Sequence, residues 1–178
     1  MRGRRSERGS GIRVRPAAPS DGPRVIELDR ELARFERLRE SDAAEGERLL
    51  GWIFRLRKFE ALVVEVDGSV EGIALFYEAP NSFRARPFLY LEDLVVSEAA
   101  RGRGAGEALM AALAREAMAR NALRLEWAVL DWNREALRFY RRLGARAQTE
   151  WHRYVLEGAE LEALARSEDV ERGSWPDP

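Results

Sequence analysis

The chain contains no cysteine and only one histidine among its 178 residues. The lack of cysteine excludes a disulfide framework, a cysteine metal site and a cysteine nucleophile, and one histidine leaves most zinc sites without enough ligands. No apolar run approaches the roughly 18 residues of a membrane span, and the arginine-rich start lacks the apolar stretch of a secretory signal. We therefore expect a cytoplasmic protein without a bound metal or a membrane partner.

Acidic and basic residues are present in nearly equal numbers. The sequence has 30 basic and 31 acidic residues, for a formal net charge of -1, and 46% of its residues are hydrophobic. This composition predicts one globular domain of ordinary size, and no basic face that would favour nucleic acid. We expect a disordered basic tail at 1–10, the domain at 11–168 and a flexible C-terminal tail at 169–178.

Strand-like and helix-like segments alternate along the chain without repeats, which indicates a mixed α/β fold. The predicted elements are a strand at 11–16, a helix capped by Ser20 or Asp21, a helix starting at Ser41 or Asp42, two strands joined by an Asp67-Gly68 turn, a central strand at 88–96, a helix from about Gly104 to Arg120, a strand at 123–130, a capped helix within 131–145, a last strand at 149–157 and a short final helix.

The stretch RGRGAG, residues 101–106, joins the central strand to a long helical pattern. Glycines let backbone N–H groups converge, a helix N-terminus carries partial positive charge, and Arg101 and Arg103 favour an anion, so the loop suits a pyrophosphate. It lacks the Lys-Ser/Thr pair of an NTPase loop, and its glycine spacing differs from G-x-G-x-x-G. From these residues alone, a merely structural glycine turn remains an open alternative.

The segment DWNREALRFYRRLGA, residues 131–145, reads as a helix with Asn133 as its N-cap and Gly144 at its end. Ala136, Phe139, Tyr140 and Leu143 share one face at helical spacing. Periodicity alone therefore favours Tyr140 as a core aromatic residue.

Taken together and in this order, LYLEDLVV, RGRGAG and WNREALRFYRRLGA resemble the GNAT N-acetyltransferases, and more narrowly the diamine (spermidine/spermine) and thialysine N-acetyltransferase branch. The resemblance runs from about Ile12 to Ala165 and includes RELARFE and WHRYVLE. It implies a mixed α/β fold with a mostly antiparallel central sheet, splayed middle strands and helices on both faces. It also implies acetyl-CoA as cosubstrate, direct acetyl transfer to a primary amine of a small molecule, and a homodimer.

The resemblance further implies roles for individual residues. Tyr140 is the general acid for the departing thiolate, Glu92 approaches the substrate amine, and Asp93 and Glu36 help to hold a cationic substrate, whereas His152 has no role. The implied cofactor-binding positions are Leu94, Val96, Arg101, Gly102, Arg103, Gly104, Ala105, Gly106, Asn133 and Tyr140. A regular strand would point Glu92 and Asp93 to opposite faces, and the resemblance implies a bulge near Asp93 to Val95.

The loop before the central strand departs from the animal polyamine acetyltransferases, which have an additional acidic residue there. This chain has Ser82 with Arg84 and Arg86 nearby, and two arginines beside the pocket would repel a polycation and accept a carboxylate. We therefore expect a thialysine-like amino acid to be preferred to spermidine. A protein amine or an aminoglycoside is an alternative acceptor, and a non-catalytic acyl-CoA-binding regulator is an alternative of another class, although a binder needs neither Tyr140 nor Glu92. The bias toward arginine and alanine is typical of a high-GC bacterial genome.

Overall fold

The computed structural model describes residues 11–166, so the tails expected at 1–10 and 169–178 lie outside the described residues. Within that range, no helix combines the length and the apolar character needed to cross a bilayer. The chain divides into two compact units, Met1–Leu130 and Asp131–Pro178. The single domain expected over 11–168 stays a prediction.

From residue 11 onward, the first unit consists of a sheet and three long helices. In chain order its elements are β1 (Ile12–Pro16), α1 (Gly22–Glu36), α2 (Ala43–Phe54), β2 (Glu60–Val66), β3 (Ser69–Asn81), β4 (Arg86–Val96), α3 (Ala105–Ala119) and β5 (Leu125–Trp127), with short 3-10 turns at Pro19–Asp21 and Glu98–Ala100.

Both early helices begin at predicted residues, but in different ways. Asp42 caps α2 through a capping box, because its carboxylate accepts from the Glu45 N–H and the Glu45 carboxylate accepts from the Asp42 N–H. Asp21 stands at the N-cap of α1 without a side-chain cap bond. Its buried carboxylate instead accepts two bonds from Arg15, at 2.6 and 3.0 Å, and this guanidinium lowers the pKa of Asp21. The pair fixes the end of β1 to the start of α1.

The five strands form one sheet in the order β1-β2-β3-β4-β5. β1 to β4 pair antiparallel with one another in turn, and β5 is parallel to β4. The predicted hairpin between β2 and β3 is confirmed, since its two turn residues, Asp67 and Gly68, have φ of 53° and 86°, as a type I′ turn requires. The mostly antiparallel mixed sheet of the prediction is therefore confirmed.

Helices cover both faces of this sheet, as predicted. One face packs against α1 and α2 through a cluster of buried residues: Val25, Leu28, Ile53, Ala61, Ile73, Leu75 and Val95. Side chains alternate along a strand, so the intervening buried residues of β2 and β3, including Val64, Ala74 and Phe76, face the other way. Helix α3 packs on that second face, along β1 to β4, and presents its buried Leu109 and Leu113.

The sheet has two irregularities, a bulge in β4 and a short β5. Leu75 of β3 pairs with Asp93, whereas the next residue, Phe76, pairs with Leu91, so Glu92 is an extra residue that forms a β-bulge. The bulge expected near Asp93 to Val95 is therefore displaced, and the pairing from Asp93 to Val96 is regular.

The second irregularity is the shortness of β5. A strand was predicted at 123–130, but only Leu125–Trp127 pairs, with Leu89 to Leu91 of β4. Beyond Leu91, β4 continues to Val96 while the pairing with β5 has ended. Pairing between β4 and the edge strand β5 thus ends at Leu91 and Trp127, and the splaying of the middle strands that the resemblance implied stays a prediction.

Up to residue 166, the second unit contains two short helices, α4 (Arg134–Arg142) and α5 (Gly158–Ala165). The predicted cap of α4 is confirmed, because Asn133 Oδ1 accepts from the Ala136 N–H at 3.1 Å. The strand predicted at 149–157 is wrong: this segment is irregular, and its side chains are exposed. Its aromatic and β-branched residues suit a strand, but a strand also needs a pairing partner, and the described part of the second unit contains no strand.

Candidate functional site

The carboxylates of β4 and the glycine loop are joined by one continuous stretch of chain. β4 ends at Val96, Ser97 is buried at 5% exposure, and the 3-10 turn Glu98–Ala100 leads into residues 101–106. The strand and the loop after it therefore hold a possible amine site and a possible phosphate site about ten residues apart, or roughly 33–36 Å at most along a fully extended chain.

The glycine loop has the backbone conformation that an anion cradle requires. Gly102 and Gly104 have φ of 72° and 90°, a region of backbone conformation in which residues other than glycine are strained. Gly104 is the N-cap of α3, and Gly106 lies in the first turn of the helix. The first turn presents N–H groups without intrahelical acceptors at the positive end of the helix dipole, so the loop and α3 together suit a phosphate.

The two loop arginines have different surroundings. Arg101 donates from Nε to the carbonyl of Val96 at 3.3 Å, and its guanidinium lies 5.8 Å from the centre of the Phe35 ring. Arg103 forms an ion pair with Asp67 in the β2–β3 turn, with Nη2 and Oδ2 2.6 Å apart. Both side chains are exposed, so both can meet an anion, but only Arg103 shares its charge with a carboxylate of this turn.

A partly buried polar network around the buried Ser97 holds the chain where β4 ends. The Ser97 N–H donates to the carbonyl of Glu71 at 2.8 Å, and the Ser97 hydroxyl donates to the Glu71 carboxylate. Arg24 of α1 pairs with the same carboxylate at 3.4 Å and donates to the Val70 carbonyl at 3.0 Å. Sequence analysis missed these residues, because a serine and a glutamate 26 positions apart carry no local signal.

The carboxylates predicted to bind the substrate lie near enough for the charges of Glu92 and Glu36 to act on Asp93. Asp93 pairs with Leu75, on the face covered by α1. Burial, followed by the charges of Glu92, Asp29 and Glu36, raises the pKa of Asp93 to about 7. Burial also raises the pKa of Glu36, whereas Glu92 is exposed at the bulge.

Asp29 is a member of this cluster that sequence analysis missed. It lies seven residues before Glu36 in α1, and residues seven apart share one face of a helix. Its carboxylate accepts a hydrogen bond from the Ser41 hydroxyl at 2.9 Å. The spacing of Asp29 and Glu36 is the signal that would have found it.

A row of aromatic rings continues from the carboxylates along the same face. Tyr77 lies two residues beyond Leu75 in β3, hence on the same face, and it pairs with Tyr90. The ring centres of Tyr77 and Tyr90 are 5.3 Å apart, and Phe59 lies 5.8 Å from Tyr77 and 6.1 Å from Trp52. Carboxylates beside aromatic rings suit an ammonium group that carries an apolar stem.

Arg84 and Arg86, in and beside the β3–β4 loop, lie far from the carboxylate cluster of the same chain. The expectation that these two arginines lie beside the pocket formed by that cluster is wrong. Arg86 is seven residues from Asp93 along β4, roughly 23 Å at 3.3 Å per residue. Its guanidinium donates to the carbonyl and the side-chain oxygen of Asn121, at 2.8 and 2.6 Å. Arg84 is exposed in the loop, where its N–H donates to the Asn81 side chain.

The remaining predicted residues fall in both units. Leu94 and Val96 lie in β4 beyond the end of its pairing with β5. In the second unit, Asn133 caps α4, and Tyr140 lies within α4 with its ring centre 5.2 Å from that of Phe139. Tyr140 is half-buried, and His152 is exposed.

The described residues also bear on metal binding. Between residues 11 and 166, no three or more His, Cys, Asp or Glu side chains are arranged to hold a metal ion. The carboxylates around Asp93 therefore do not form a metal-ligand set in this structure.

Comparisons with known proteins agree on one family. The model of the acetyltransferase (GNAT) family matches residues 23–145, which spans the division between the two units. The thialysine N-epsilon-acetyltransferase of Bos taurus is 32% identical over 86% of this chain and 97% of its own length. The L-ornithine N5-acetyltransferase of Arabidopsis thaliana is 29% identical over 85% of this chain and 87% of its own length. An integron cassette protein from the mobile metagenome of V. cholerae superposes with a TM-score of 0.73 at 26% identity, over 89% of this chain and all of that one.

Proposed function

The chain belongs to the acetyltransferase (GNAT) family, and on this basis we propose that it transfers an acetyl group from acetyl-CoA directly to a primary amine of a small amino acid of the thialysine or ornithine kind. Its curated relatives are N-acetyltransferases, and the chain is an enzyme of this class rather than a non-catalytic regulator. The observation that carries the substrate proposal is the carboxylate cluster around Asp93. A cluster of this kind attracts a primary ammonium group.

The glycine loop fits the cosubstrate that this family uses. The positive φ angles of Gly102 and Gly104, the start of α3 and two exposed arginines suit a diphosphate. When bound, acetyl-CoA supplies an acetyl group activated as a thioester. In this proposal residues 101–106 hold its phosphates, while the backbone of Leu94 and Val96 and the side chain of Asn133 bind its amide-containing arm.

The carboxylates have two tasks, binding the ammonium group and removing its proton. An alkylamine has a pKa of about 10.4, so forming its neutral state at pH 7 costs about 4.6 kcal/mol. Glu36, Glu92 and Asp93 attract the ammonium group. Asp93, with its pKa raised to about 7, is a stronger base than an ordinary carboxylate, and Glu92 at the exposed bulge connects the proton to solvent.

Tyr140 is the proposed general acid, donating its phenolic proton to the sulfur of the departing thiol. A phenol with a pKa near 10 is a weaker acid than a thiol near 8.5, and the deficit is only about 2 kcal/mol. A hydrogen bond to the developing charge can offset a deficit of this size. Because the chain has no cysteine, no cysteine thioester of the enzyme can form, and the acetyl group passes directly to the amine.

Support for an amino-acid substrate comes from the named activities of the relatives rather than from Arg84 and Arg86.

We also propose that the enzyme acts in the cytoplasm, where a chain without cysteine needs no oxidising environment, and that it is a homodimer. Exposed apolar side chains in the second unit support an association, with Trp151 at 76%, Tyr154 at 89% and Val155 at 66% exposure. Light scattering across a dilution series measures the oligomeric state.

The substrate proposal is tested by following thiol release from acetyl-CoA with thialysine, ornithine, lysine and spermidine. Thiol reagents report only the CoA product, since the chain has no thiol of its own. We expect thialysine or ornithine to give the highest kcat/KM, and mass spectrometry to find one acetyl group on the amine. A higher kcat/KM for spermidine would contradict the amino-acid substrate, and the absence of turnover with every amine would contradict the small-molecule acceptor.

A further inference from the structure

The glycine loop contacts a part of the chain to which no role has yet been given, the turn between β2 and β3. Arg103 and Asp67 are paired at 2.6 Å, and their side chains are 50% and 51% exposed. A second contact brings the same region together, because a Cβ on Gly104 would lie 3.5 Å from Ile12, and Ile12 pairs with Val66 beside the turn. The turn therefore lies against the part of the loop that precedes α3.

We propose that Asp67 sets the affinity of the phosphate site by neutralising Arg103, so that its carboxylate weakens the binding of CoA and of acetyl-CoA. This inference rests on the proposed function of the loop. Arg101 interacts with a carbonyl and an aromatic ring, so its charge is not shared with a carboxylate in this way. A phosphate that approaches Arg103 must displace the Asp67 carboxylate or accept its repulsion at close range.

The consequence for the enzyme concerns product release. The substrate acetyl-CoA and the product CoA carry the same phosphates, so any residue that acts on the phosphates changes both affinities together. A carboxylate that competes for Arg103 shortens the residence of the product as well as that of the substrate. Asp67 is in this view a residue that tunes affinity rather than a catalytic residue.

The decisive experiment measures the Kd of CoA by calorimetry for the full chain and for Asp67→Asn. Asparagine has nearly the same shape and tolerates the φ of 53° at this position, so the turn is retained. We expect CoA to bind roughly threefold to tenfold more tightly, with a gain that diminishes at high ionic strength. Glu47→Gln is the matched control, because it removes one negative charge from an exposed position of α2, and it should leave the Kd unchanged.

Two further measurements tie the gain to the phosphates and to Arg103. Pantetheine, which lacks the phosphates, should bind equally to both proteins. In an Arg103→Gln background, Asp67→Asn should change the Kd of CoA by less than about twofold, as expected when one residue acts through the other. Asp67→Gly, which also accepts a positive φ, provides the same test if the asparagine variant folds poorly.

Either failure can be recognised. If Asp67→Asn is folded and binds CoA no more tightly than the original chain, the inference is overturned while the proposed function stands. A gain that persists in the Arg103→Gln background also overturns it. If the unaltered chain does not bind CoA at all, both the inference and the proposed function are wrong.

Discussion

The hydroxyl of Ser97 donates a hydrogen bond to the carboxylate of Glu71, and the two residues are also joined through their backbones. Ser97 is the first residue after β4 and Glu71 lies near the start of β3, so this contact fixes the point at which the chain leaves the sheet for the glycine loop. The same carboxylate pairs with Arg24. One buried serine thus connects the sheet, α1 and the approach to the phosphate site.

Ser97→Ala should lower the free energy of unfolding by about 1.5–3 kcal/mol, because it removes a partly buried hydrogen bond to a charged group. It should also weaken CoA binding, since the start of the loop loses its anchor. Urea unfolding and calorimetry measure the two effects. Ser82→Ala, at an exposed loop position, is the control, and equal stabilities for the two variants would contradict the anchoring role.

Tyr140→Phe should lower kcat at least roughly tenfold while leaving the KM for acetyl-CoA nearly unchanged, as expected for the loss of a general acid. Tyr154→Phe removes a hydroxyl from a residue that is 89% exposed and should leave kcat unaltered. Equal kcat values for the two variants would show that Tyr140 is not the general acid.

Asp93→Asn should lower kcat/KM at pH 7 roughly tenfold or more, because the variant cannot accept the amine proton. Asp131→Asn changes an exposed aspartate and serves as the control. Steady-state rates with the best amine of the panel measure both variants. An unchanged kcat/KM would show that Asp93 does not accept the amine proton.

The same substitution should remove the pH dependence that Asp93 gives to the free energy of unfolding. The pKa of Asp93 is raised from 3.8 to about 7 in the folded chain, so its contribution to stability is complete below about pH 4 and is lost as the pH rises through 7. Asp93→Asn should therefore be more stable than the original chain by at least about 1 kcal/mol at pH 8, and the difference should vanish near pH 4. Urea unfolding at the two pH values measures it, and a difference independent of pH would refute the raised pKa.

Gly72→Ala should destabilise the fold strongly, by about 2–4 kcal/mol. A Cβ at this position would lie 2.7 Å from the Val95 carbonyl oxygen and 2.9 Å from Val64, and the backbone oxygen cannot move without disturbing the pairing of β3 with β4. Gly11→Ala is the matched control, since a Cβ there meets nothing within 4 Å. Thermal unfolding of the two variants provides the comparison.

Local signals in the sequence predicted most of the fold. The Asp67-Gly68 turn, the Asn133 cap and the Asp42 cap each depend on residues a few positions apart, and each is confirmed. The glycine loop before α3 was identified for the same reason. Its backbone has the left-handed residues that the motif indicates.

The features that were missed depend on pairing between distant segments. The bulge at Glu92 exists only in the register of β4 against β3, and the segment 149–157 has the aromatic and β-branched residues of a strand without forming one. Arg86 could not be placed by sequence either, because its partner Asn121 follows α3, 35 residues away. Such relationships are set by tertiary structure, which short patterns do not encode.

The early end of β5 leaves β4 with two unlike edges. Toward β3 the ladder continues to Val96, whereas the parallel pairing on the opposite edge stops at Leu91. Successive amides of a strand point to alternate edges, so deuterium exchange beyond Leu91 should alternate between slow and fast from one residue to the next. The fast amides are the ones with which a bound extended ligand could continue the sheet, and their slowing on its addition would trace its path along the strand.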